Sequence, residues 1–420
     1  MNILHVSTYL QGGAGRVIQD LALEQNRNGH IVTVAINDEE YPGYFNYSEY
    51  LEALNHNGIE IVRADGLFKR DVYRNINGAQ NIQSILNNHN IDIIHSHAAV
   101  PSLAALLGRN NIRRHTPERN CTECHISGCK KTGHHIPVIQ TMHGWGINKN
   151  SEQGSMDIGI LNMVDRVVAV SNSARELLIS KGVNGDNVSV VYNGVRDCAN
   201  AIVSSDVNVV DDVSQSSVVN DNDNEKERVI NIINGAEIEA ITNTKRDKIR
   251  IICIGTVCQR KNQELILKAL HRLDDIAQFV FIGEDDEGII KSSDAKSIIH
   301  YGYLPNANNY IPNFDYLILP SRSEGLGLVV LESYMYSTPV IVSDLPVFKE
   351  YFTDGKHGFL FDDNSEDSLV STIQVAYDTK RNHSQKYDSM KKACRFEYEN
   401  RFCLDIMLKN YETLYKEIMT

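Results

Sequence analysis

Short, nearly continuous apolar runs rich in β-branched residues recur along the chain, with a stretch long enough for a helix between most successive runs. The first half carries them at Ile3–Val6, Ile31–Ile36, Ile59–Val62, Ile91–His95, Pro137–Thr141, Val167–Val170 and Val188–Tyr192. The second half repeats the pattern at Ile249–Gly255, Gln278–Gly283, Tyr316–Pro320, Val340–Ser343 and Phe359–Phe361. A strand that is apolar throughout needs cover on both faces, and helix-length crossovers join parallel strands. The chain is therefore predicted to be α/β, with two parallel sheets in succession. Its 420 residues agree; they exceed one ordinary core and suit two domains of about 150–200 residues each.

Two segments interrupt the alternation. Residues 113–135 fall where a helix-to-strand connection normally needs about 2–6 residues. Residues 197–247 contain no proline, one glycine and the run Asn220-Asp221-Asn222-Asp223-Asn224-Glu225. That composition reads as an acidic, mostly solvated linker insertion, one that needs no function of its own. The expected organisation is a first domain at 1–196 with an insertion at 113–135, the linker at 197–247, and a second domain at 248–420.

Apolar content of 42% and charged content of 23% are ordinary for a soluble globular protein. A net charge of −13 argues against a general nucleic-acid binder. No apolar run approaches the roughly 20 residues that span a bilayer. Met1-Asn2-Ile3-Leu4-His5-Val6 reads directly as a strand rather than as a signal peptide, so a cytoplasmic location is expected. In that compartment the eight cysteines are better read as thiols or metal ligands than as disulfides.

The strongest chemical signal is Ser321-Arg322-Ser323-Glu324-Gly325-Leu326-Gly327-Leu328-Val329-Val330-Leu331-Glu332. A strand ends at Pro320, a glycine-bearing turn follows, and a helix runs to Thr338-Pro339. Free N–H groups and the positive helix end then face the crevice beyond the strand, a ready site for a diphosphate or a sugar ring. Gly325 and Gly327 allow close approach to the Leu326 backbone. Glu332 can accept from vicinal ribose hydroxyls, and Glu324 from a sugar hydroxyl. Two glutamates eight apart are weak evidence alone, since surface helices carry such pairs; the strand–turn–helix context gives them meaning. Near the N-terminus, Gly12-Gly13-Ala14-Gly15-Arg16 follows the first run and opens a helix. Such a loop also suits a dinucleotide cofactor, but the G-x-G-x-x-G spacing is absent.

The E-x7-E element, its helix and the following Thr338-Pro339-Val340-Ile341 resemble the retaining GT-B glycosyltransferases of the family 4, group 1 type. The resemblance implies two Rossmann-like domains facing across a cleft, with the last helix packing back on the first domain. It implies a nucleotide-diphosphate sugar donor, most commonly UDP-linked, and no cofactor for catalysis. The acceptor would be a glycan, a lipid-linked glycan or a small molecule, with peripheral contact at the inner membrane face. Gly13 and Arg16 carry over as donor-side positions. In Gly255-Thr256-Val257-Cys258-Gln259-Arg260-Lys261 the lysine matches, while Thr256 stands where the family usually has arginine. Arg260 is the candidate replacement, with a solvated Arg-Lys pair as the alternative. His143, in Thr141-Met142-His143-Gly144, matches the histidine that lies beside the donor sugar, and Gly283 ends a strand whose loop normally contacts the base. His143, Lys261 and Glu324 are thus the expected catalytic groups. Donor binding would use Gly13, Arg16, Arg260, Lys261, Gly283, Glu324–Gly327 and Glu332. Ser171 and Asn193 also match loops that face the cleft. Arg196 stands where the family frequently has aspartate, so that position has no assigned role. His95 and His97 fall on the acceptor side, where a purely structural role is equally open.

The first insertion contains Cys121, Cys124, Cys129 and His134 in the spacing C-x2-C-x4-C-x4-H. Three thiolates and an imidazole make a usual tetrahedral set for structural zinc. A metal-free loop remains the alternative. The stacking aromatics of a nucleic-acid-binding knuckle are missing. Arg113, Arg114, Arg119, Lys130 and Lys131 add a local positive patch suited to an anionic acceptor or lipid headgroups. Two other functions fit the same architecture, a nucleotide-sugar epimerase and a non-catalytic sugar-nucleotide binder.

Overall fold

The computed structural model describes residues 1–110, 135–146, 149–199, 247–285, 287–290 and 298–420. The chain divides into two compact units, Met1–Gly194 with Leu404–Thr420, and Val195–Cys403.

The first unit alternates β1 (Asn2–Val6), α1 (Gly12–Arg27), β2 (Ile31–Asn37), α2 (Ser48–His56), β3 (Glu60–Ala64), α3 (Val72–Asn88), β4 (Ile93–Ser96) and α4 (Ala99–Asn110). It continues with β5 (Val138–Met142), α5 (Ser151–Leu161), β6 (Arg166–Ala169), α6 (Asn172–Ser180) and β7 (Val188–Val190). The strands form one parallel sheet in the order β3-β2-β1-β4-β5-β6-β7. The continuous apolar runs are explained by cover on both faces: Ile3, Leu4 and Val6 of β1 and Ile93 and Ile94 of β4 are all 0% exposed. Each such side chain contributes about 1.5–3 kcal/mol of burial. Asp71 and Ser171 start α3 and α6 by accepting from the backbone N–H groups of Arg74 and Ala174, both at 3.0 Å.

The second unit holds β8 (Ile249–Ile254), α7 (Gln263–Ala269), β9 (Ala277–Ile282), β10 (Ile298–Tyr301), β11 (Tyr316–Leu319), α8 (Leu328–Met335), β12 (Val340–Ser343), α9 (Pro346–Lys349), β13 (Gly358–Phe361), α10 (Glu366–Asn382) and α11 (Ser384–Glu397). Its parallel sheet runs β10-β9-β8-β11-β12-β13. Helix α10 places Leu369, Val370, Ile373 and Ala376 on one face, packed into a core with Phe359 and Phe361. Ser365 caps it, Glu366 and Asp367 sit in its first turn, and Lys380 and Arg381 in its last, all matched to the helix dipole. The chain crosses into this unit at Val195, whose N–H donates to the carbonyl of Phe402 at 2.9 Å. Asp197, where the sequence suggested a solvated linker, is paired with Arg395. The last helix, α12 (Leu404–Met419), is part of the first unit.

Strand order reverses in each sheet between two neighbours, β1 and β4 in the first unit and β8 and β11 in the second. At such a point the two flanking loops run to opposite sides and leave a crevice at the carboxyl ends of the strands. Lys261 and Glu324 lie on the loops that follow β8 and β11 at the second of these points. Among the described residues no helix is long and apolar enough to cross a membrane.

Candidate active site

In the second unit the loops after β8 and β11 are fastened together at the reversal of strand order. Arg322 N–H donates to the carbonyl of Arg260 at 2.9 Å, and Nη1 of Arg260 donates back to the carbonyl of Ser323 at 3.1 Å. Lys261 Nζ donates to Oε1 of Glu324 at 2.7 Å, and the Ser321 hydroxyl donates to the same oxygen at 2.6 Å. The Arg260 guanidinium lies 3.6 Å from that oxygen. The Glu324 side chain is only 9% exposed. Burial is the largest influence on it and by itself would raise its pKa. The charges of Lys261 and Arg260, with the bonds from Lys261 and Ser321, prevail and hold it below the usual carboxylate range. Glu324 is therefore ionised at neutral pH, and two cations face the turn that leads into α8.

The backbone of that turn explains its glycine. Gly327 caps α8 at φ +85°, in the left-handed region, and a Cβ there would meet the Phe348 ring at 2.8 Å. Leu326 is buried, and its carbonyl accepts from the Tyr351 hydroxyl at 2.6 Å. Gly325 and Glu324 precede it, and Glu332 lies half-buried on α8. Gly283, at the end of β9, passes so close to the loop after β8 that a Cβ would meet the carbonyl oxygen of Gly255 at 2.2 Å. Thr256 is exposed, and its carbonyl accepts from the Gln263 side chain at 3.0 Å, which braces the loop. The structure thus brings Arg260, Lys261, Glu324 and the Gly325–Gly327 turn together, beside Gly283.

In the first unit Gly13 is exposed in the first turn of α1. Arg16 lies in the same helix, its Nε donating to Asp20 at 3.1 Å. The close approach in this loop belongs instead to Gly15, where a Cβ would meet the backbone carbon of Leu10 at 2.5 Å. Ser171 serves as the cap of α6. Asn193 is buried after β7, with no partner for Oδ1 among the described residues.

His143, just beyond β5, belongs to a buried polar network that sequence reasoning did not assemble. Its Nε2 lies 3.1 Å from Nδ1 of His97, whose Nε2 lies 3.0 Å from Nδ1 of His5. His5 Nε2 reaches Oε1 of Gln25 at 2.7 Å, and the Gln25 amide donates to the Tyr415 hydroxyl at 3.2 Å. His95 bridges Tyr415 at 2.6 Å and Thr141 at 2.7 Å. Burial holds His5 and His143 down to about 4, and His95 and His97 well below their ordinary value, so all four are neutral at pH 7. His95 and His97 are thus core groups. His5, Gln25 and Tyr415 were missed; the one available signal was a histidine inside the apolar run Ile3-Leu4-His5-Val6. His5, His95 and His97 are close enough to share an ion, yet each ring nitrogen already has a hydrogen-bond partner. Cys121, Cys124, Cys129 and His134 lie outside the described residues.

Glycine-bearing loops follow β1 and β11 at the strand-order reversals of the two sheets, and a cationic turn opens α8, an arrangement suited to an anionic ligand. The family model described as Glycosyltransferase Family 4 matches residues 11–197, and that described as Glycosyl transferases group 1 matches residues 235–395. The chain belongs to the group 1, family 4 glycosyltransferases, and it is a glycosyltransferase enzyme. It is 24% identical to the O-antigen biosynthesis glycosyltransferase WclY of Escherichia coli over 338 residues, covering 78% of this chain and 79% of that one. A glycosyltransferase from Rickettsia africae has the same fold, with a TM-score of 0.73 at 15% identity, covering 100% of this chain and 99% of the other. So does Anabaena HepE, solved in complex with UDP and glucose, with a TM-score of 0.70 at 14% identity over 99% of this chain and 100% of the other. The fold is GT-B.

Proposed function

We propose that the chain is a retaining hexosyltransferase that moves a sugar from a UDP-linked donor to a glycan or lipid-linked acceptor in polysaccharide assembly. The observation that carries the donor side is the convergence of Lys261 and Arg260 on the Glu324 turn at the start of α8. A departing nucleoside diphosphate gains negative charge as the glycosidic bond breaks, and fixed cations beside free helix N–H groups stabilise that charge. Arg260 supplies the charge that Thr256 lacks. Glu324 orients Lys261 and accepts from a sugar hydroxyl, Glu332 holds the ribose, Gly283 leaves room beside the base, and His143 acts on the sugar. Gly13 and Arg16 remain donor-side positions. UDP is favoured because HepE was solved with UDP and glucose. Polysaccharide assembly is favoured because WclY is an O-antigen enzyme.

In the retaining reaction the bond from C1 to the β-phosphate oxygen breaks, and a bond from C1 to the acceptor oxygen forms on the same face. The acceptor proton passes to the departing phosphate oxygen, so the step needs neither a covalent enzyme intermediate nor a catalytic metal. The reaction is assigned to the cytoplasm, with peripheral membrane contact where the acceptor is lipid-linked.

A panel of labelled nucleotide sugars, with and without glycan or lipid-linked acceptors, tests the reading. Release of UDP that depends on the acceptor, with α-configured product from an α-linked donor, is the expected result. Inversion at C1 would remove retention, conversion of the donor without an acceptor would indicate an epimerase, and binding without release a non-catalytic receptor.

A further inference from the structure

We propose that Gln25, His5 and His97 form a positioning relay that fixes the tautomer of His143, with a proton on Nε2 and an open lone pair on Nδ1. The proposal rests on the reading of His143 as a group that acts on the donor sugar.

The Gln25 carboxamide presents its oxygen to His5 Nε2 at 2.7 Å and its nitrogen to the Tyr415 hydroxyl at 3.2 Å. An amide oxygen only accepts, so His5 Nε2 carries the proton. A neutral imidazole has one N–H, which leaves His5 Nδ1 as an acceptor toward His97 Nε2 at 3.0 Å. His97 must then be protonated at Nε2 and bare at Nδ1, where it accepts from His143 Nε2 at 3.1 Å. His143 is left with an unprotonated Nδ1, which is buried and has no partner among the described residues. Each ring nitrogen settles the state of the next.

Each of these imidazoles is neutral and so carries a single N–H. A second proton on His5 or His97 would set a donor against a donor, one on His143 would leave a buried N–H without a partner, and burial disfavours the charged form of all four histidines. A second arm runs from the amide nitrogen. The Tyr415 hydroxyl accepts from Gln25 and donates to His95 Nδ1 at 2.6 Å, and His95 Nε2 donates to Thr141 Oγ1 at 2.7 Å. Turning the amide over would reverse every proton in both arms and place one on His143 Nδ1. The amide therefore sets the polarity of the whole relay, two imidazoles away from His143. A bare Nδ1 can only accept, so a sugar hydroxyl that reaches it must donate.

Ring 15N shifts of histidine-labelled protein at pH 7.5 test the relay directly, because protonated and bare ring nitrogens resonate far apart. In the unsubstituted enzyme His5, His97 and His143 should each show a protonated Nε2 and a bare Nδ1. Gln25→Met, which does not touch His143, and His97→Phe should both turn His143 into a mixture of tautomers. They should lower kcat by about 10-fold while the donor KM stays within about 2-fold, as expected when an orienting partner is lost. A proton on His143 Nδ1 in the unsubstituted enzyme, or an unchanged His143 tautomer in both variants, would overturn the relay. That first measurement needs no variant to fold. Full turnover in His143→Ala would instead overturn the catalytic reading of His143 and leave the tautomer result standing.

Discussion

Nζ of Lys261 lies 2.7 Å from Oε1 of Glu324, although the two residues arrive on separate loops, one after β8 and one after β11. The pair gives the second unit a defined charge pattern before any ligand binds. The carboxylate stays ionised in spite of its burial, and the ammonium is held at a fixed position instead of sampling solvent. Preorganised charge of this kind stabilises a transition state without reorganising during the reaction.

Lys261→Ala should lower kcat by ~100-fold or more with the fold intact, since a cation aimed at a departing diphosphate acts mainly in the transition state. The same substitution removes the largest opposing influence on the buried Glu324 carboxyl, so its titration midpoint should rise above the unsubstituted value. Steady-state kinetics and carboxyl 13C titration measure the two effects separately. Undiminished turnover would show that the cationic turn does not serve the leaving group.

Glu332→Ala should weaken donor binding, because Glu332 is assigned to the vicinal ribose hydroxyls. A hydrogen bond to a charged acceptor contributes about 1.5–3 kcal/mol, so the donor KM should rise by ~10-fold or more. kcat at saturating donor should change far less. An unaltered donor KM would remove Glu332 from the ribose.

Much of the architecture was legible in the sequence because parallel strands covered on both faces must be continuously apolar. Twelve of the observed strands coincide with runs read from the sequence, with ends displaced by a residue or two. Strand β10, Ile298–Tyr301, escaped because it is a half-buried edge strand that ends in His300 and Tyr301. The turn between β11 and α8 was legible because strand, glycines and helix lie in one continuous segment. Its charge partnership was not: Lys261 and Glu324 are 63 residues apart, and only the adjacency of β8 and β11 joins them. The histidine network was the least visible part. His5 and His95 face each other only through the parallel register of β1 and β4, and Tyr415 comes from α12 near the end of the chain.

That network should make the first unit sensitive to acid. His5 has its pKa lowered from 6.5 to about 4 by burial, so the unfolded chain binds the proton more readily than the folded one. Its contribution is fully present above about pH 6.5 and is lost as the pH falls toward 4, at about 1.4 kcal/mol per pH unit. His95, His97 and His143 shift in the same direction and steepen the loss. Trp145, the single tryptophan, lies in the first unit, so its fluorescence in urea titrations follows this unit. The urea midpoint should fall between pH 7 and pH 5, before Glu324 begins to protonate. Equal midpoints at the two pH values would mean that the histidines are charged or solvated in the folded protein.

The C-x2-C-x4-C-x4-H spacing of Cys121, Cys124, Cys129 and His134 predicts a bound zinc ion. Arg109, at the end of α4, and His135, just before β5, both bind Asp165. His135 Nε2 lies 2.7 Å from Oδ1 of Asp165, and the C-x2-C-x4-C-x4-H spacing names its neighbour His134 as the imidazole of a Cys3His zinc site. Protein prepared with zinc available should carry about one equivalent of metal, a Cys121→Ser/Cys124→Ser double variant should carry none, and His135→Ala should retain it. The assigned donor groups of the second unit take no part in this set, so donor affinity should be nearly the same with and without metal. Transfer should fall only if the neighbouring Arg113, Arg114, Arg119, Lys130 and Lys131 help to hold an anionic acceptor. Elemental analysis of the three proteins decides the matter. Metal-free protein under zinc-replete preparation would leave the cluster as free thiols, and metal lost in His135→Ala would move the fourth ligand to His135.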